Sequence, residues 1–133
     1  PQAMVDELHH QGDCYVSLSR SEGWGLGAFD AVAAGKPVIM TGYGGQTDFL
    51  PKECADLVNY HLIPVVDPMN RKSYSLDQQW AEPDIRHAGQ LMREAFENRE
   101  AAEIKGQNLR RFATEHFSKE TITQSIMDIL NCE

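Results

Sequence analysis

Apolar residues come in short unbroken runs through the first half of the chain and at helical spacing through the second. Residues 14–18 (CYVSL) form a β-branched, apolar run between Gly12-Asp13 and a polar stretch, the pattern of a buried strand. Residues 26–34 (LGAFDAVAA) are helix formers with apolar positions at 26, 29, 32 and 33, and Gly35 followed by Pro37 stops them. Residues 38–41 are a second strand. Strand, tight turn, helix, strand is a βαβ unit, which predicts an α/β fold with a parallel sheet flanked by helices and a right-handed crossover.

Beyond a glycine-bearing loop at 42–45, a short helical stretch is expected at 46–50, cut by Pro51. Residues 57–60 and 62–66 read as further strands or one bent ribbon, ended by Asp67 and Pro68, and residues 69–83 as polar and irregular. From Asp84, Ile85, Ala88, Leu91, Met92, Ala95 and Phe96 mark one helical face. A second helix is expected over 101–117, packing through Ala102, Leu109, Phe112 and Ala113, with Gly106 leaving room for a close neighbour. Ser118 can cap a third, whose face is Ile122, Ser125, Ile126, Ile129 and Leu130. The opening segment, 5–10, is weakly helical. A doubly wound sheet carries five or six strands, and only three or four are legible here. The expectation is one partial domain over 1–133, with sheet and glycine loop in 1–68, helices in 84–130, and upstream strands supplied by a longer protein.

Composition narrows the partners. The chain has 133 residues, 20 of them Asp or Glu and 12 Lys or Arg, for a formal charge of -8. Nucleic acid is excluded as a partner, because phosphate neutralisation needs clustered bases. The deficit is uneven: residues 1–67 hold nine acids and only Arg20, Lys36 and Lys52 as bases. The longest apolar runs, such as 37–40 and 62–66, fall far short of the roughly 20 residues that cross a bilayer. Cys14, Cys54 and Cys132 are odd in number and scattered, which reads as structural thiols in a reducing, cytoplasmic compartment. His9, His10, His61, His87 and His116 share no metal-ligand spacing.

Chemistry concentrates in residues 19–30, SRSEGWGLGAFD. Gly23, Gly25 and Gly27 occupy the turn between a strand's carboxyl end and a helix's first turn, where free N–H groups and the helix dipole favour an anion. The spacing is G-x-G-x-G, not the dinucleotide G-x-G-x-x-G, and no Gly-Lys-Ser or Gly-Lys-Thr follows to make a P-loop. Glu22 stands immediately before the first glycine and Asp30 eight positions later, about one turn into the expected helix. Carboxylates beside an anion site suit a ligand with both phosphates and hydroxyls, since charge-assisted hydrogen bonds to sugar hydroxyls are among the stronger ones. A nucleotide diphosphate sugar has that chemistry.

From Glu22-Gly23-Trp24-Gly25-Leu26 through Asp30-Ala31-Val32-Ala33-Ala34-Gly35-Lys36-Pro37-Val38-Ile39, the sequence resembles the signature of retaining glycosyltransferases of the GT-B fold, family 4 type. The resemblance continues more loosely through Thr41-Gly42-Tyr43-Gly44-Gly45, through Trp80-Ala81-Glu82-Pro83-Asp84-Ile85 and through the last two helices. It implies a Rossmann-like sheet belonging to the carboxy-terminal, donor-binding domain, with an amino-terminal acceptor domain elsewhere in the same protein. It further implies sugar transfer from a nucleotide diphosphate sugar to an unknown acceptor with retention of configuration. Glu22 would contact the transferred sugar, Asp30 the ribose, and the backbone of Gly23, Trp24, Gly25 and Leu26 the sugar and phosphate. Asp30 departs from the family, which carries Glu there. The sequence contains no Asp-x-Asp motif, so no metal or other cofactor is expected. The isolated chain is expected to be inactive, and any membrane association to come from the missing part.

Each residue also has a plainer reading. Glu22 can be a solvated loop acid, Asp30 a complement to the helix dipole, Trp24 and Trp80 packing residues, and Gly44 and Gly45 turn formers. The alternative function is a non-catalytic nucleotide-sugar-binding or interaction module of the same fold. An NAD-dependent oxidoreductase is disfavoured by the glycine spacing.

Overall fold

The computed structural model describes residues 2–66, 74–75 and 77–131. In chain order the elements are α1 (Gln2–Gln11), β1 (Tyr15–Ser17), α2 (Leu26–Ala33), β2 (Val38–Thr41), a 3-10 turn (Gly45–Asp48), β3 (Asp56–Val58), β4 (Tyr60–Pro64), β5 (Gln79–Pro83), α3 (Ile85–Glu97), α4 (Arg99–Phe117) and α5 (Lys119–Leu130).

Val38, Ile39, Met40 and Thr41 are all buried, which is the burial of a central parallel strand covered on both faces. β2 lies between β1 and β3, parallel to each, with Tyr15 opposite Val38 and Ile39 opposite Asp56. Alternation sorts the side chains. Val38 and Met40 point into a cluster with Ala28, Ala31, Val32, Phe49, Leu50, Leu109 and Ala113, where α2 and α4 cover the sheet. Ile39 and Val58 point the other way, onto Ala88, Leu91 and Ala95 of α3. The chain is therefore an α/β protein with a Rossmann-like parallel sheet flanked by helices.

α2 ends as its sequence requires, with Gly35 at φ +74 and its N–H on the Val32 carbonyl. α4 crosses close to that turn at Gly106. α3 starts at Asp84, whose carboxylate accepts from the backbone N–H of Arg86 at 2.9 Å and of His87 at 3.1 Å. Those bonds, the His87 N–H foremost, hold the Asp84 carboxyl below its usual range.

Two expectations change. Residues 57–60 and 62–66 divide between two sheets: β3 joins the parallel sheet, while β4 pairs antiparallel with β5 in a separate ribbon. Residues 79–83, expected to be irregular, are a strand, because pairing with β4 and a bond from the Ala81 N–H to the Arg20 carbonyl (3.0 Å) override weak local propensity. The α5 helix forms behind its Ser118 cap, but its apolar face is bare, Ile122 and Ile126 being 43% and 52% exposed. Asp67, Pro68, the stretch 69–73 and Cys132 lie outside the described residues.

Candidate functional site

The carboxyl ends of β1 and β2 open into two glycine-bearing loops that meet, the usual place for a ligand in an open α/β sheet. The first carries Glu22 to Gly25 and the second residues 42–45. Gly25 is the N-cap of α2 at φ 83, ψ 57, with no side-chain cap. Only glycine takes that left-handed conformation cheaply, and its consequence is chemical. None of the N–H groups of Gly23, Trp24, Gly25 and Leu26 donates to an acceptor among the described residues. The α2 N-terminus therefore presents open amides and the positive end of its dipole.

Glu22 is half-buried at the mouth of this loop, and Asp30 is half-buried on the fifth residue of α2. Neither carboxylate has a hydrogen-bond or ion-pair partner among the described residues. Both are free to accept from ligand hydroxyls. Glu22 and the loop amides thus stand at the amino end of α2, with Asp30 just past its first turn.

Trp24 is more constrained. Its ring packs on Phe49 at 5.0 Å, Phe117 at 5.5 Å and Phe29 at 5.8 Å between centroids. That cluster anchors the loop to the core below it and engages the indole in packing. Leu26 is 72% exposed at the first helical position. Gly27 sits against Tyr15, whose hydroxyl would lie 2.8 Å from any Cβ there.

The two bases nearest the motif in the sequence, Arg20 and Lys36, are both otherwise engaged. Lys36 follows the far end of α2 and donates to the His10 carbonyl at 3.1 Å, at the opposite pole of the helix from the loop. Arg20 does adjoin the loop but is engaged: its Nε pairs with the Glu82 carboxylate at 2.5 Å and its guanidinium lies 5.2 Å over the Trp80 ring. Trp80 is thus a half-buried platform on the ribbon. The Arg20–Trp80–Glu82 group, invisible in a linear reading, fastens β5 to the strand end that carries the site.

The second loop contributes backbone. The Gly45 N–H donates to the Glu22 carbonyl at 3.3 Å. A Cβ on Gly45 would overlap the Gly23 carbonyl, and one on Gly44 would stand 2.8 Å from the Glu22 carbonyl. These two glycines are therefore close-approach residues as well as turn formers. Behind them Gln46 is fully buried, a residue that nothing in the sequence marks.

An apolar cavity of about 160 Å³ lies between Cys14, Val16, Met92, Phe96 and Arg99. It opens at the amino ends of the strands and includes none of the loop residues. Burial, with smaller contributions from Asp56 and Asp13, pushes the Cys14 thiol up to about 11, which suits a structural thiol. Among the described residues no three His, Cys, Asp or Glu side chains converge as a metal site, and no helix is long and apolar enough to cross a membrane.

A family model described as "Family 4 Glycosyltransferase in conflict systems" matches residues 1–126. No curated protein gives a significant match.

Proposed function

Because this chain belongs to the family 4 glycosyltransferases of conflict systems, we propose that it holds the donor in glycosyl transfer from a nucleotide diphosphate sugar, with retention at the anomeric carbon. The observation that supports this reading is the open N-terminus of α2, capped by a left-handed Gly25, with Glu22 before it and Asp30 on the helix, both carboxylates without a partner among the described residues. Loop amides receive the diphosphate, Glu22 accepts from hydroxyls of the transferred hexose, and Asp30 accepts from the ribose.

Asp is one methylene shorter than the Glu usual at this position, so Asp30 reaches the ribose directly only from close range, or through a bridging water. Catalysis on this reading is orientational and electrostatic. The departing diphosphate gains hydrogen bonds from fixed N–H donors as its charge develops, and Glu22 keeps the anomeric carbon facing the acceptor. Arg20 is committed to Glu82, so the amides balance the diphosphate only in part. We therefore assign the remaining positive charge, and the acceptor site, to an amino-terminal domain of the same protein, and read the chain as inactive alone.

The alternative is a binding module of the same fold without chemistry, which the scarcity of cations beside the loop favours. Turnover in the protein that carries this chain separates the two. With UDP-glucose, UDP-N-acetylglucosamine and GDP-mannose as donors, an enzyme releases the nucleotide and loses most of that rate on Glu22→Gln. A module binds a donor and releases nothing.

A further inference from the structure

Gln46 is a neutral amide with no exposed surface, directly after the glycine pair Gly44-Gly45. Its Nε2 donates to two carbonyls on either side of Gly42, to Thr41 at 2.9 Å and to Tyr43 at 2.5 Å. Its Oε1 is buried and without a partner among the described residues. Buried amides normally satisfy both ends, so a half-satisfied one marks a position held for geometry rather than for the strength of its bonds.

That geometry leads to the site. By gathering the Thr41 and Tyr43 carbonyls, the amide folds the chain back after β2 and turns Gly44 and Gly45 toward the first loop. Gln46 Oε1 lies 2.7 Å from where a Cβ on Gly44 would stand, and Gly44 takes φ +109. The Gly45 N–H then meets the Glu22 carbonyl at 3.3 Å. The stem of Gln46 also supports the first loop from beneath, its Cβ being 3.5 Å from the position a Cβ would take on Gly25. One buried side chain thus touches both loops, yet no part of it reaches the surface where a ligand binds.

We propose that Gln46 is a positioning residue: its carboxamide clamps residues 42–45 against the first loop and so fixes the backbone from which Glu22 reaches the sugar. The proposal rests on the reading of Glu22 as the sugar contact. It predicts that loosening the clamp costs recognition of the sugar and spares recognition of the nucleotide. A misplacement near 1 Å at a reacting centre is enough to cost about a hundredfold in rate, and a smaller shift at a binding contact about tenfold.

The test uses Gln46→Met, which keeps the length and loses both donors, and Gln46→Glu, which keeps the shape and can offer one O–H donor at most, so it cannot hold both carbonyls. Two quantities are measured for each: amide exchange at Gly45, and the affinity ratio of UDP-glucose to UDP, with UDP-N-acetylglucosamine and GDP-mannose against their own diphosphates in parallel. Expected are about tenfold faster exchange at Gly45, unchanged exchange at Met40 and Leu57 in the sheet, and a sugar preference that falls about tenfold while affinity for the bare diphosphate stays. Unchanged Gly45 exchange in both variants overturns the clamp, as does equal weakening of sugar nucleotide and bare diphosphate. If the sheet amides also lose protection, Gly45→Ala, which leaves Gln46 in place, decides the matter: it must abolish the sugar preference, and a variant that keeps it overturns the proposal. A native chain with no sugar preference defeats the reading of Glu22, whereas the exchange result still judges the clamp.

Discussion

Replacing Gly106 by Ala tests how α4 is seated. Gly106 is buried, eight residues into the 19-residue α4. On helix propensity alone the substitution should stabilise by about 0.8–1 kcal/mol. The packing says the reverse. A Cβ there would stand 2.7 Å from the Pro37 nitrogen and 2.8 Å from the Lys36 carbonyl carbon, and it would overlap the Gly35 carbonyl. These are backbone atoms in a turn pinned by the left-handed Gly35 and by the start of β2, so no flexible side chain can yield. Overpacking of this kind costs roughly 2–3 kcal/mol, and subtracting about 1 kcal/mol of propensity leaves a net loss of about 1–2 kcal/mol. With a urea slope of about 2 kcal/mol/M the midpoint should fall by about 0.5–1 M. Gly89→Ala is the control, because Gly89 is exposed on α3 with nothing within 4 Å of a Cβ. It should raise stability by about 0.5–1 kcal/mol. A Gly106→Ala protein as stable as the native one, or more so, would refute the close contact of α4 with residues 35–37.

Gly25→Ala should destabilise by roughly 1–2 kcal/mol in thermal unfolding, since the residue must hold φ +83 with a Cβ, and the same change should weaken sugar-nucleotide binding by displacing the loop amides. Cys14, with its thiol near 11 against an ordinary 9.0, should react with iodoacetamide at pH 8 roughly a hundredfold more slowly than a free thiol of ordinary pKa. The unfolded chain gives up that proton first, so denaturant melts should show stability falling as pH climbs from about 9 toward about 11. Because the sequence has no Asp-x-Asp motif, EDTA should leave donor turnover unchanged in the protein that carries this chain, whereas a metal-dependent transferase would lose it.

The parts of the fold written in local residues were readable from the sequence. The β-branched and apolar run of β2, the helix formers of α2 and the glycine that ends it depend on neighbours a few positions away, and the structure returns them within a residue. β5 was not readable, because Gln79 to Pro83 owes its extended form to β4, to the Arg20 carbonyl and to nothing in its own composition. Gln46 was missed for a similar reason. Nothing in a glutamine opening a short helical stretch after two glycines marks it as buried, because its burial depends on carbonyls that converge only once the loop has closed. Charge was legible in amount but not in place: Arg20 and Lys36 both sit near the motif in the sequence, yet one is paired with Glu82 and the other lies at the far end of α2. Helical spacing located α5 correctly and exposed its limit, since periodicity identifies an apolar face without saying what buries it.

The central claim is that Glu22 and Asp30 divide a nucleotide diphosphate sugar between them at the end of α2. Calorimetric titration of the native protein, Glu22→Gln and Asp30→Asn with UDP-glucose, UDP-N-acetylglucosamine and GDP-mannose, each beside its bare diphosphate, measures that division directly. The account predicts that at least one sugar nucleotide binds more tightly than its diphosphate, that Glu22→Gln erases this preference, and that Asp30→Asn weakens both ligands alike. Tighter binding of a nicotinamide dinucleotide than of any sugar nucleotide, or a sugar preference untouched by Glu22→Gln, would contradict it.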